Sequence, residues 1–257
     1  MLEPIGLALV AFVTAFINDA LGGGYGTITG PVLLLLGYPP HVVIPAILFS
    51  EAVSEYWSGA WHLKFHNVNI RVFLLTTLGG AIGIPAAVLF IGVFLSATLT
   101  RLYIGVIALL MGVFVILKSI RQKASPPTER QKIHTWKIIA LGFICGFNKS
   151  SSGGGYGPIS TTGYMLLGLP AALAVGTTIL AKATGCLLSI LLWAALRGID
   201  WRLTLPMSAG AFIGAPIAAW LNNYFKVNIR PLHHERVVGL IMALLGAYSL
   251  LRQFGLV

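Results

Sequence analysis

Charge is scarce in this sequence: nine per cent of its 257 residues are Asp, Glu, Lys or Arg, against about a quarter in soluble domains. With 57% hydrophobic residues and 30 glycines, that scarcity excludes an ordinary water-soluble fold. Cysteine is limited to Cys145 and Cys186, each in an apolar stretch. Such cysteines suit small packing positions better than a disulfide or a metal centre. No nucleophile–base arrangement and no GxGxxG after a strand occurs, and no Lys-Ser pair follows Gly22–Gly26 to cradle nucleotide phosphates. Enzyme chemistry, ATP hydrolysis and a bound cofactor are therefore not expected. His62 and His66, four apart, and the pair His233-His234 have no carboxylate or cysteine at ligand spacing, so neither set reads as a metal site. Met1–Pro4 holds no basic residue, so the N-terminus reads as the first helix rather than a cleaved signal.

What the sequence does contain is a series of long apolar stretches, among them Val42–Trp61, Val72–Phe94, Ala171–Leu196 and Leu203–Leu221. Several reach the roughly 20 residues that cross about 30 Å of hydrocarbon. In lipid every backbone amide must find its partner internally, and stretches without strict alternation do so as helices. The fold class is an all-α polytopic membrane protein. The net charge of +10 sits mainly between these stretches. Lys118–Lys137 alone holds six Lys or Arg against one acid, around Ser125-Pro126-Pro127. That is a positive-inside signal for a cytoplasmic linker rather than a nucleic-acid surface.

The linker separates two copies of one pattern. Residues 16–88 laid on 147–219 without a gap match at 20 of 73 positions, including Phe16/Phe147, Arg71/Arg202 and Pro85/Pro216. The expected organisation is a first transmembrane repeat over 1–117, the linker over 118–137 and a second repeat over 138–257. Each repeat reads as a glycine-broken helical hairpin plus three longer helices. Counting Lys and Arg does not choose between parallel and inverted repeats. The absence of a basic residue in the first four positions, and broken helices at matching places, favour inverted ones. Gly79-x3-Gly83 and Gly210-x3-Gly214 read as sites where helix backbones approach closely.

Gly22-Gly23-Gly24-Tyr25-Gly26 and Gly153-Gly154-Gly155-Tyr156-Gly157 interrupt apolar stretches. Glycine costs about 1 kcal/mol relative to alanine inside a helix but permits a sharp turn and close backbone approach. The turn frees amides at the start of the following segment, where anions are favoured. Asp19, Glu51, Glu55, Lys149 and Lys182 are charges in apolar surroundings, which persist only if they pair or act. The repeat sets Lys149 opposite Asn18, Ser150 opposite Asp19 and Lys182 opposite Glu51. Lys149-Ser150-Ser151-Ser152 offers a cation and three hydroxyls beside the second turn, a donor set for an oxyanion. The expected anion site lies between the two turns. It draws on Asn18, Gly23, Gly24, Tyr25, Lys149, Ser150, Ser151, Ser152, Gly154, Gly155, Tyr156 and Lys182. Asp19, Glu51 and Glu55 are the candidates to carry a coupling proton, although Glu51 and Lys182 also fit a purely structural ion pair. The hydroxyls of Thr177 and Thr178 are weaker candidates for the same cavity.

The duplicated glycine run followed by an apolar segment and a Gly-x-Pro turn, Gly37-Tyr38-Pro39 and Gly168-Leu169-Pro170, resembles the TauE/SafE family, the sulfite exporter family of anion permeases. Pro31 and Pro158 depart from the family's usual proline spacing, and a tyrosine and an extra glycine enter both turns. The resemblance implies movement of sulfite, or a sulfonate such as sulfoacetate, across the cytoplasmic membrane, usually outward. The expected partners are that small anion and membrane lipids, with a homodimer as an option. A passive anion channel, or a membrane subunit needing a soluble partner, shares these features.

Overall fold

Helices are the outcome along the described residues. The computed structural model describes residues 2–21, 24–121, 134–225 and 231–256, and those residues form ten α-helices with no strand. α1 (Leu2–Leu21) and α2 (Tyr25–Leu35) make a hairpin. Gly24 turns the chain with φ 125°, and Tyr38, just past α2, returns to the start of α1 and donates its hydroxyl to Glu3 at 2.5 Å. α6 (Thr135–Ser152) and α7 (Tyr156–Leu166) repeat the arrangement, with Gly153 and Gly155 both left-handed at φ 75°. α2 and α7 have 11 residues each, roughly 16 Å at 1.5 Å per residue, about half a hydrocarbon core.

Three longer helices follow each hairpin. They are α3 (Pro40–Lys64), α4 (Ile70–Leu89) and α5 (Ala97–Arg121), then α8 (Ala171–Arg197), α9 (Trp201–Phe225) and α10 (Pro231–Gln253). A π-helical turn, Phe90–Phe94, extends α4. Among the described residues, Ile70–Phe94, Ala97–Ile120, Ala172–Arg197 and Arg236–Gln253 are long and apolar enough to cross a membrane. Large aliphatic side chains cover the outside: Leu74, Leu78 and Ile82, one turn apart on α4, are each more than half exposed. An apolar stripe facing outward is the reverse of a soluble helix. This is a multi-pass membrane protein. α5 continues to Arg121 and α6 starts at Thr135, so helix enters both ends of the expected linker; its basic residues between 122 and 133 lie outside the described residues, as do residues 226–230.

The two halves are interleaved. α4 packs on α6 and α1 on α9, while α3 packs on α8 and α5 on α10. Gly79 and Gly83 lie against the backbone carbonyls of Ile139 and Phe143, and Gly210 and Gly214 against those of Ala8 and Phe12. Both members of each contact differ by the 131 residues that relate the repeats in sequence. The glycines expected to admit close helix packing do so, and each packs on the opposite half. A second set was not anticipated. Gly105 and Gly112 of α5 meet Gly246 and Gly239 of α10 in antiparallel order.

At these positions a methyl group would enter a neighbouring backbone. Gly79→Ala and Gly210→Ala are each expected to lower stability by about 1–3 kcal/mol, the range for overpacking. Gly6→Ala, whose added carbon meets nothing within 4 Å, is the control and should be neutral or slightly stabilising. Thermal unfolding of the detergent-solubilised protein would rank the three.

Chain direction assigns two faces. Arg71, at the start of α4, donates to Thr135 at 3.4 Å, so both ends of the linker lie on one face with Lys64. Arg252 donates to the Leu35 carbonyl at 2.6 Å, and Glu3, Tyr38 and Arg197 share that opposite face. The hairpin tips fall between the two.

Candidate functional site

Five polar side chains converge where the tips meet α3 and α8. α3 supplies Glu51 and Glu55 from successive turns, the last turn of α6 supplies Lys149, α8 supplies Lys182 and α1 supplies Asn18. All are at most 5% exposed. Glu51 takes Lys149 on Oε2 and Lys182 on Oε1, the latter at 3.1 Å. Lys182 also pairs with Oε1 of Glu55, an oxygen that accepts from Asn18 Nδ2 at 2.8 Å. Lys182 reaches Asn18 Oδ1 at 3.4 Å, and Lys149 donates to the Gly153 carbonyl at 2.6 Å. The second oxygen of Glu55 is buried with no partner. An unpaired buried ion costs several kcal/mol, so two lysines and two glutamates persist here because they neutralise each other.

The repeat pairs Glu51 with Lys182, and the structure sets those two side chains against one another. It also brings Lys149 onto Glu51, a contact between the halves that the alignment does not state. Gly23 and the Asp19 side chain lie outside the described residues.

The two turns are in backbone contact. Gly26 lies against the Gly153 carbonyl, and a carbon added at Gly154 would sit 2.8 Å from the Thr27 nitrogen. The Gly155 amide donates to Thr27 Oγ1 at 3.0 Å. In this conformation the described parts of the turns leave no gap between them, and the charged cluster lies to one side.

The neighbouring hydroxyls are engaged within the protein. Ser150 pairs with Ser189, Ser151 with the Tyr103 hydroxyl at 2.9 Å, and Ser152 donates to the Asn148 carbonyl at 2.8 Å. Tyr25 shares a hydrogen bond with Ser50 at 2.7 Å, and its amide lies 3.5 Å from Asn18 Oδ1. Tyr156 packs with Cys145 and Ala181. Thr177 accepts from the Asn69 amide at 2.9 Å, capping the α3–α4 loop, and Thr178 accepts from Thr161 at 3.0 Å. Those two threonines belong to the packing of α8 and not to the cluster. Trp193, whose indole donates to the Ser150 carbonyl at 3.0 Å, had no sequence signal, because its repeat partner is His62.

The architecture and the cluster can be set beside known proteins. The sequence model of the family described as sulfite exporter TauE/SafE matches residues 7–249. The chain belongs to the TauE/SafE family. It is similar to the probable membrane transporter protein YtnM of Bacillus subtilis, 29% identical over 99% of this chain and 85% of that protein. It is also similar to probable membrane transporter proteins of Xylella fastidiosa, 23% identical over 94% and 93%, and of Haemophilus influenzae, 26% identical over 88% of each. The TauE/SafE match spans both hairpins and reaches every residue of the cluster. Family and relatives together support a membrane transporter.

Proposed function

We propose that this protein is a secondary transporter carrying a small sulfur oxyanion, sulfite or an organosulfonate such as sulfoacetate, across the cytoplasmic membrane. In this reading it exports the anion by alternating access coupled to protons. The observation that carries the proposal is the Glu51 carboxylate, which holds two buried lysines as a bound oxyanion would. A substrate oxyanion takes over Lys149 and Lys182 and releases Glu51. The released carboxylate, next to Glu55 and without its cations, takes up a proton, since a lone buried carboxylate is strongly disfavoured. Reprotonating water on the far side returns Glu51 to the lysines. Asn18, the hydroxyls of Ser150, Ser151 and Ser152, and the turn amides at Gly23, Gly24, Tyr25, Gly154, Gly155 and Tyr156 complete the anion's donors once the turns separate. Glu55 and Asp19 are the alternative proton carriers.

The moving parts in this proposal are inverted repeats, 1–117 and 138–257, joined through the linker. The reading is supported by the reciprocal packing of α4 on α6 and α1 on α9, and by hairpins that start from opposite faces.

Flux of radiolabelled sulfite into proteoliposomes, competed by sulfate and sulfoacetate, tests the substrate class. Saturable flux that follows a pH gradient is expected from the native protein. Flux indifferent to the gradient would favour a passive anion channel. Glu51→Gln is expected to keep measurable flux while its response to the gradient disappears; a native gradient response would assign the proton elsewhere.

A further inference from the structure

A cavity of about 280 Å³ opens on the face opposite the linker, between the starts of α3 and α5, the π-helical turn and the end of α8. Arg197 lines it, and one guanidinium nitrogen donates to the Gly92 carbonyl in the π-turn at 2.6 Å. Among the described residues no carboxylate pairs with that guanidinium. His41 also lines the cavity, as do Ser96, just before α5, and Thr100 in the first turn of α5. The first turns of two 25-residue helices, α3 and α5, open onto it. Arg197 and His41 are thus the cationic groups of the cavity; Ser96 Oγ accepts from the Leu99 amide at 3.3 Å and the Thr100 hydroxyl donates to the Ser96 carbonyl at 3.0 Å, and among the described residues no acid lines it.

Its floor is Trp193, 1% exposed. The indole donates to the Ser150 carbonyl at 3.0 Å, and Ser150 follows Lys149 in the chain. The ring therefore links the cavity to the backbone of the helix end that carries Lys149. Gly92 makes room for Leu196 beside the ring: a carbon added there would strike Leu196, while Trp193 would stay at an ordinary contact distance of 3.5 Å. The opposite end of α8 is closed, with Gly176 lying directly against the Asn67 carbonyl.

We propose that this cavity is a second anion site, an outer vestibule in which Arg197 receives a singly or doubly charged oxyanion on its way out from Lys149 past Trp193. It goes beyond the central site but rests on the reading of the protein as an anion carrier. The guanidinium fork matches two oxygens of a sulfonate or sulfate, and clefts lined with one sign of charge concentrate ions of the other.

The test places a cysteine on the wall, Ser96→Cys, in a protein with Cys145→Ala and Cys186→Ala. It compares labelling by an anionic and a cationic membrane-impermeant thiol reagent of similar size, applied to either side of sealed vesicles. The anionic reagent is expected to react about tenfold faster, from the side opposite the linker, and sulfate at 50 mM should slow it severalfold. Arg197→Gln should bring the two rates together, and Arg197→Lys should restore part of the difference. Equal rates in the Arg197-containing protein, or no protection by sulfate, would overturn the vestibule even if the Arg197 variants failed to fold. Labelling does not depend on transport. A negative result here with normal sulfite flux would sink only the vestibule, whereas vestibule selectivity without any flux would sink the carrier reading.

Discussion

Lys149→Gln is expected to abolish sulfite flux in proteoliposomes while the protein still elutes as a folded species. A hydrogen bond to a charged group contributes about 1.5–3 kcal/mol, which at 1.4 kcal/mol per decade is roughly 10- to 100-fold in anion affinity. The same substitution removes one of the two cations on Glu51, and breaking a buried pair costs about 3–5 kcal/mol. Glu51→Gln/Lys149→Gln restores neutrality and is expected to recover thermal stability without recovering flux. If the double variant transported sulfite normally, Lys149 would be a structural counter-ion and nothing more. Arg would not substitute for Lys149 without loss, because its planar fork cannot reach Glu51 and the Gly153 carbonyl as a compact ammonium does.

The largest structural effect is expected at Gly26. A methyl group there would lie inside the Gly153 carbonyl, backbone against backbone, with no flexible side chain to yield. Gly26→Ala is expected to cost at least about 3 kcal/mol, at the top of the range for overpacking, and to appear as aggregation or a sharply lowered melting temperature. Gly30→Ala, four residues on in α2, meets its neighbours at 3.6 Å or more and should fold normally. The comparison separates the contact between turns from helix propensity, since both changes add a better helix former to one helix. Equal behaviour of the two variants would mean that the turns can part at little cost.

Much of this organisation was legible from residue spacing. The offset of 131 located both hairpins, and the Gly-x3-Gly pairs named helix faces that pack. Both follow from local rules, glycine for turns and small residues for close approach. The alignment also set Glu51 opposite Lys182, two residues that the structure brings into contact. Contact between the turns was not legible. Glycine signals that something comes close without saying what, and an anion and a second backbone ask for the same residue. Ser150, Ser151 and Ser152 show the same limit, since a hydroxyl's partner is fixed by tertiary packing, here Ser189, Tyr103 and the Asn148 carbonyl. The π-turn at Phe90–Phe94 shifts hydrogen bonds by one residue and left no mark in composition. Arg197 carries no sequence signal of a site, because the cavity beside it is made by three segments distant in the chain.

The interleaving of the helices bears on how such a chain can be made. The seat for the first hairpin is α9, which begins at Trp201, so α1 leaves the ribosome long before its partner exists. Until then the face of α1 that packs on α9 has to wait in the insertion machinery or in contact with a substitute. Folding is committed late, and a chain cut at the linker would hold two hairpins' worth of sequence information but no complete seat for either. A half-length molecule could bury its own hairpin only against a second copy of itself. Gene duplication would then have tied together two subunits that already needed each other, leaving each free to acquire its own charges: acids on one side, lysines on the other.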